Sequence, residues 1–187
     1  MDMLIKASAA IGEPIHRKDI HIISWARAYQ SAILGPNVLL FSTTRTKERE
    51  TMFKWAGPIA EDNTVVWAKK SSGIPKFNDI STTTYKIIVV RDDVADQLVV
   101  EAGVLNSNIA RANRLEAAVK MLAHSRAPLL AYDKVAFLKI MSSTGGNPDD
   151  YEIVNTIASS KVYFAFSKDV DDEIVNKLQK GIDLLRK

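Results

Sequence analysis

Cysteine is absent from this sequence. Disulfides, thiolate nucleophiles and cysteine-ligated zinc are therefore excluded, and the absence is compatible with an oxidising compartment. Histidine occurs only as His16, His21 and His124, with no HExxH-like pattern, so neither a metal nor a cofactor is expected. Like charges never gather in a block: 25 Lys and Arg against 22 Asp and Glu are spread along the chain, leaving a net charge of +3. No nucleic-acid partner is expected from that distribution. Long apolar runs are missing too, since Ile87 to Val90 and Ala127 to Tyr132 fall far short of the roughly 20 residues that a membrane helix needs. The opening MDMLIKASAAIG carries Asp2 and Lys6 and lacks the basic start and unbroken apolar core of a signal peptide.

What remains is ordinary globular composition, 47% apolar and 25% charged over 187 residues, enough for one domain or two small lobes. The periodicity alternates between helix and strand. Helices are expected over Met3 to Ala10, ended by Gly12, and over Trp25 to Leu34, stopped by Gly35-Pro36. Strands are expected at Ile20 to Ser24, Val38 to Ser42 and Thr64 to Lys69, with a short helix at Thr46 to Met52 capped by Thr46.

The cycle then restarts with a buried strand at Tyr85 to Val90 and a helix capped by Asp92 or Asp93. Asn113 and Glu116 have capping-box spacing before LEAAVKMLAHS. A strand at Leu129 to Tyr132 and a helix through Ile140 follow. Beyond the loop TGGNPDD come a strand at Val162 to Phe166 and a final helix over Asp169 to Leu185. Such alternation implies a largely parallel α/β architecture.

One segment concentrates polar chemistry. FSTTRTKERE, Phe41 to Glu50, places Ser42, Thr43, Thr44, Arg45 and Arg49 where a buried strand runs out. Two readings are open: a strand-to-turn loop with solvated charges, or a small-anion cradle of hydroxyls and a guanidinium. No nucleophile–base motif competes with it, because the chain has no GxSxG and no cysteine.

The ordered set RAYQSA, LLFSTTRTKERE, FKWAGPI, YKIIVVRDDVADQL, KMLAHSRAPLLAYD and VYFAFSKDVDDEIVNKLQKGID resembles the extracellular solute-binding proteins of ABC importers. More narrowly, it resembles their family three, the polar amino-acid-binding type. The resemblance runs from about Met3 to Arg186. It implies an α/β fold of the periplasmic-binding-protein-like type II, with two lobes closing by hinge motion on a ligand in the cleft between them. Residues 1–66 and 162–187 would form lobe one and 67–161 lobe two, joined through TVVWAK and KVYFAF. It implies a non-enzymatic, periplasmic protein that hands a small amino acid or similar carboxylate to a membrane permease, with oligomeric state left open. A cyclohexadienyl-dehydratase-like enzyme, which would need a carboxylic acid as general acid, and a ligand-sensing module are the alternatives on the same fold.

By the same resemblance, Ser42, Thr44 and Arg49 hold the ligand carboxylate. A guanidinium can meet it with two parallel hydrogen bonds; the alternative is a surface Arg49 paired with Glu48 or Glu50. Asp133 corresponds to the family's acidic partner for the ligand ammonium, or else is a helix N-cap. Trp25 forms a wall of the cleft or packs in the core. Trp55 and Trp67 read as core or crossover packing.

Two departures stand out. Where the family has glycine and small hydroxyls, this chain has VVRDDV, whose Asp92 and Asp93 would repel an anion unless Arg91 compensates. The strand that the family places before the first helix is also missing, so the chain reads as truncated at its beginning, leaving strand edges unpaired.

Overall fold

Alternating strands and helices build two units in this computed structural model, which describes residues 1–186. One unit comprises Met1–Glu61 with the chain from Lys161 onward, and the other Asp62–Ser160. Two 16-residue strands, β2 (Lys54–Lys69) and β6 (Tyr151–Phe166), contribute to both. The sequence reading found only the apolar C-terminal part of each. The residues before it, in which apolar and polar side chains are mixed, gain strand structure from pairing, which sequence alone does not display.

In the first unit, β1 (Leu39–Thr44) runs antiparallel to β6. Helices α1 (Asp2–Ala10) and α6 (Asp172–Leu184) share one cluster with Phe164 and Phe166, to which they add Leu4, Ala7, Leu178 and Ile182. Helix α2 (Trp25–Leu34) supplies Tyr29 and Ala32 to a second cluster with Leu40, Phe53 and Ala165. The alternation of Phe164, Ala165 and Phe166 between the clusters is the two-residue period of a strand with both faces covered.

In the second unit the strand order is β2-β5-β3-β4. β3 (Ile87–Val90) lies parallel to β4 (Ile109–Ala112) and β5 (Leu129–Asp133), and β2 lies antiparallel to β5. All four residues of β3 are buried, as expected for a parallel strand with helices on both faces. Val65, Ile88, Val90 and Leu130 pack with α4 (Leu115–Ala123) and α5 (Lys134–Ser143). Val66, Ile87, Val89, Leu129 and Ala131 pack with α3 (Val94–Glu101).

Several expectations are corrected. Ile20 to Ser24 is not a strand, and Ile22 is 79% exposed there. Thr46 to Met52 forms turns rather than a helix, with bonds from Glu50 N–H to Lys47 O and Met52 N–H to Arg49 O that span only three residues. Helix α4 begins one residue later than the Asn113 capping box requires. Arg114 is its N-cap, and Glu116 falls at the second helical position, too early to reach back. The last helix is capped by Asp171, which accepts from Glu173 N–H at 2.8 Å. Asp169 instead accepts from Asn37 N–H at 2.7 Å. Strand β4 has no counterpart in the sequence reading.

Gly181 marks the closest approach of α6 to α1. A Cβ there would overlap the Ala7 carbonyl oxygen, which belongs to a helix backbone and cannot swing aside. Alanine would gain roughly 1 kcal/mol of helix propensity, whereas overpacking costs typically about 1–3 kcal/mol and wins. Gly181→Ala is therefore expected to lower the urea midpoint; an unchanged or higher midpoint would mean that the two helices are not seated as described.

Candidate functional site

The polar segment at the end of β1 is shaped by a break in its ladder. Leu39 and Leu40 oppose Phe166 and Ala165, but the register shifts before Thr43 and Thr44 oppose Tyr163 and Val162. Ser42 lies within the shift at φ 59°, a left-handed conformation uncommon for a residue with a Cβ. An irregularity of this kind re-aims side chains. Here two successive threonines, Thr43 and Thr44, are both buried, while Ser42 is exposed. The Thr43 hydroxyl has no hydrogen-bond partner.

The two arginines after the strand have different surroundings. Arg45 binds Glu50 through both arms, Nε to Oε2 at 2.7 Å and Nη2 to Oε1 at 2.5 Å, and lies over the rings of Trp55 and Tyr163. Glu50, one of the two carboxylates offered to Arg49 in the sequence reading, is thus engaged by Arg45. Arg49 is only 3% exposed. Its guanidinium lies 5.0 Å from the Tyr29 ring centre and 5.8 Å from that of Trp25, and Nη1 reaches the Thr44 carbonyl at 3.5 Å. Aromatic faces offset part of the cost of withdrawing a cation from water. Trp25 itself stacks on Tyr29 at 5.8 Å. The structure thus gathers Thr44, Arg49 and Trp25, with Ser42 at the strand irregularity beside them.

The second unit presents carboxylates. Asp133 closes β5 and caps α5, accepting from Ala136 N–H at 2.6 Å, so the N-cap reading describes its backbone contact. Asp93 caps α3 and is 9% exposed. Asp92 adopts φ 60° in the turn before it, and the exposed Arg91 holds that turn to Ala112 through its backbone N–H. Trp67 is core: it stacks on Phe137 at 4.2 Å.

Asp62 and Thr64 were missed by sequence reasoning. Thr64 stands directly opposite Asp133 in the ladder, and Asp62 lies two residues earlier, hence on the same face of the sheet. The Thr64 hydroxyl is wholly buried without a hydrogen-bond partner, and so is Asp62 Oδ1. Burial first, then the adjacent Asp133 carboxyl and the more distant Asp93, push Asp62 up to about 8. Tyr132 is likewise pushed upward by burial, with Asp93, Asp133, Asp62 and Glu116 adding to the effect. Sequence shows the residue types but not the strand register that joins them. Among the described residues no cluster of metal-ligating side chains occurs, and no helix is long and apolar enough to cross a membrane.

No protein-family model matches the chain, and no curated protein matches it at a significant level. Solved structures do match. A histidine kinase sensor domain with similarity to periplasmic binding proteins superposes with TM-score 0.85 at 14% identity, over 99% of this chain and 78% of that one. The arginine-, lysine-, histidine-binding protein ArtJ of Geobacillus stearothermophilus gives 0.80 at 16% identity, over 99% and 78%. The arginine-binding protein of T. maritima gives 0.81 at 15% identity, over 100% and 79%. The fold is periplasmic-binding-protein-like.

The raised Asp62 sets the sign of a pH effect. From the ordinary carboxylate range near 4 to about 8, the folded chain keeps a proton that the unfolded chain releases. Its contribution to stability is present at low pH and is lost as pH rises through that window. Compared with Asp62→Asn, the wild type is expected to lose urea stability as pH rises from about 4 to about 8. Parallel pH profiles for the two would contradict the assignment.

Proposed function

We propose that the chain is the solute-binding component of an ABC importer, taking a small polar solute, an amino acid or similar carboxylate, without chemical turnover. The observation that carries this reading is the buried Arg49 guanidinium, backed by Trp25 and Tyr29 beside Thr44. A cation already withdrawn from water and held on aromatic faces is prepared to meet a carboxylate, because its desolvation has been met during folding. Ser42 and Thr44 add neutral donors, and Asp133 is the partner for the ligand ammonium, with Arg91 as an auxiliary cation. The arginine ligands named for the T. maritima and ArtJ proteins support an amino-acid ligand for this chain. A periplasmic location and a membrane permease as partner follow from the same reading.

The sensor-domain neighbour supports a second role for the same ligand chemistry, as the sensing module of a receptor. The raised Asp62 carboxyl supports a different reading, a dehydratase-like enzyme, since general acid catalysis requires a carboxylic acid still protonated near neutrality. Incubation with prephenate separates that reading from the others: product formation would require an enzyme, and its absence is expected here.

The binding reading is tested at Arg49. In a calorimetric screen of the full chain against amino acids, Arg49→Ala is expected to weaken the best binder at least about tenfold, the scale of a lost charge-assisted pair. Arg49→Lys should recover only part of the loss, because an ammonium cannot make the two-armed contact. Unchanged affinity in a folded Arg49→Ala protein would contradict the carboxylate role.

A further inference from the structure

The turn that carries Arg49 is tied across its ends by two side chains that the carboxylate reading does not use. Within the turn, Arg49 N–H reaches the Thr46 hydroxyl at 3.4 Å and Glu50 N–H reaches the Lys47 carbonyl at 3.4 Å. Arg49 Nη1 meets the Thr44 carbonyl at 3.5 Å. Bonds of that length lie beyond the usual range of about 2.7–3.2 Å and do little to fix a backbone. The tie from Arg45 to Glu50 is different. Arg45 Nε and Nη2 donate to the two Glu50 carboxyl oxygens at 2.7 and 2.5 Å, and Trp55 Nε1 donates to the Glu50 carbonyl at 3.2 Å. An exposed pair of this kind adds little to stability, but its two-armed geometry fixes direction.

The same pair bounds a row of aromatic rings. The Arg45 guanidinium lies 5.6 Å from the Trp55 ring centre and 5.4 Å from that of Tyr163. Trp55 meets Phe53 edge-on at 5.5 Å, and Phe53 meets Tyr29 at 5.6 Å. Tyr29 then faces the Arg49 guanidinium at 5.0 Å. Arg45 therefore closes the row at one end and Arg49 stands at the other, with buried Phe53 between them. Closely packed rings transmit a displacement rather than absorb it.

We propose that Arg45 and Glu50 are positioning residues: their two-armed clamp sets the turn and the aromatic row, and so fixes where the Arg49 guanidinium is presented. Without the clamp the turn keeps only its long internal bonds and the Trp55 contact. Arg49 then stays beside Tyr29 and Trp25 but is no longer held in one placement. A guanidinium meets a carboxylate with two parallel bonds over a narrow range of placements, so a small displacement weakens the contact. Of the other charged and titratable groups, Lys168 acts on Glu50 and Tyr163 on Arg45. Lys168 cannot replace Arg45, because an ammonium makes no two-armed contact. The bond from Arg45 holds the Glu50 carboxyl below the ordinary carboxylate range, so the clamp is fully charged at neutral pH. The inference rests on the solute-binding reading for the ligand that Arg49 meets. The hold on Arg49 itself does not.

NMR of the isotope-labelled full chain reads the placement of Arg49 without a ligand, because the ring currents of Tyr29 and Trp25 displace its side-chain N–H resonances. In Glu50→Gln and in Arg45→Gln these resonances are expected to move toward those of the exposed Arg27. Those of Arg111, paired with Asp96 at 2.9 Å in the second unit, should stay in place. A mere loss of stability would move neither set in the folded protein. Arg45→Lys keeps the charge without the fork and should move the Arg49 resonances less than Arg45→Gln; it serves as the probe if Arg45→Gln fails to fold. In parallel calorimetry with L-arginine, Glu50→Gln is expected to weaken binding about threefold, the scale that an exposed ion pair can transmit. Arg49 resonances in the folded clamp variants that match the wild type would overturn the proposal, whether or not L-arginine binds. If Arg49→Ala weakens L-arginine while the clamp variants leave resonances and affinity unchanged, the clamp fails and the carboxylate reading stands. If the clamp variants move the resonances but Arg49→Ala leaves L-arginine affinity unchanged, the hold on Arg49 stands and the carboxylate reading fails.

Discussion

The antiparallel register of β2 on β5 fixes the second unit. Thr64 opposes Asp133, Val65 opposes Tyr132, Val66 opposes Ala131 and Trp67 opposes Leu130. A slip of one residue would carry Val66 and Ala68 away from α3 and turn Trp67 away from Phe137. The buried apolar residues on both faces therefore hold the register, and polar residues at the strand ends follow without a choice of their own. Asp62, Thr64 and Asp133 meet on one face because the hydrophobic pattern beyond them permits only one alignment. A fold requirement has gathered three acceptors, two of them carboxyls, and protonation of Asp62 limits the repulsion.

The first unit handles the opposite charge. Arg49 is brought inside by the break in the β1 ladder and by the turns that follow it, and it lies against two aromatic rings. Arg45, four residues earlier in the chain, is neutralised by Glu50 at the surface. That difference separates a guanidinium engaged in an exposed pair, worth little to stability, from one whose desolvation is already met. Donors thus characterise the polar segment of the first unit, and acceptors that of the second.

Much of the architecture is legible in the sequence because it is local. Ile87 to Val90 announces a doubly covered strand by unbroken branched apolar residues, and Asp93 announces a helix start by its side chain. Elements that depend on distant partners are less legible. The first halves of β2 and β6, mixed in polarity, become strands through pairing, and Ile20 to Ser24 has the composition of a strand but no ladder. The same division runs through the site. The hydroxyl-and-arginine segment is contiguous, so it stands out as a polar stretch, and the family resemblance it carries brings Ser42, Thr44 and Arg49 together. Asp62 and Thr64 could not, since their meaning arises from Asp133, far along the chain and joined to them only by register.

The central claim is that the β2–β5 register buries Asp62 beside Asp133 and thereby keeps the Asp62 carboxyl protonated near neutrality. Carbon-detected NMR titration of the Asp62 side-chain carboxyl in the full chain follows that proton directly. The account predicts a midpoint pushed up to about 8. A midpoint in the ordinary carboxylate range near 4 would contradict it.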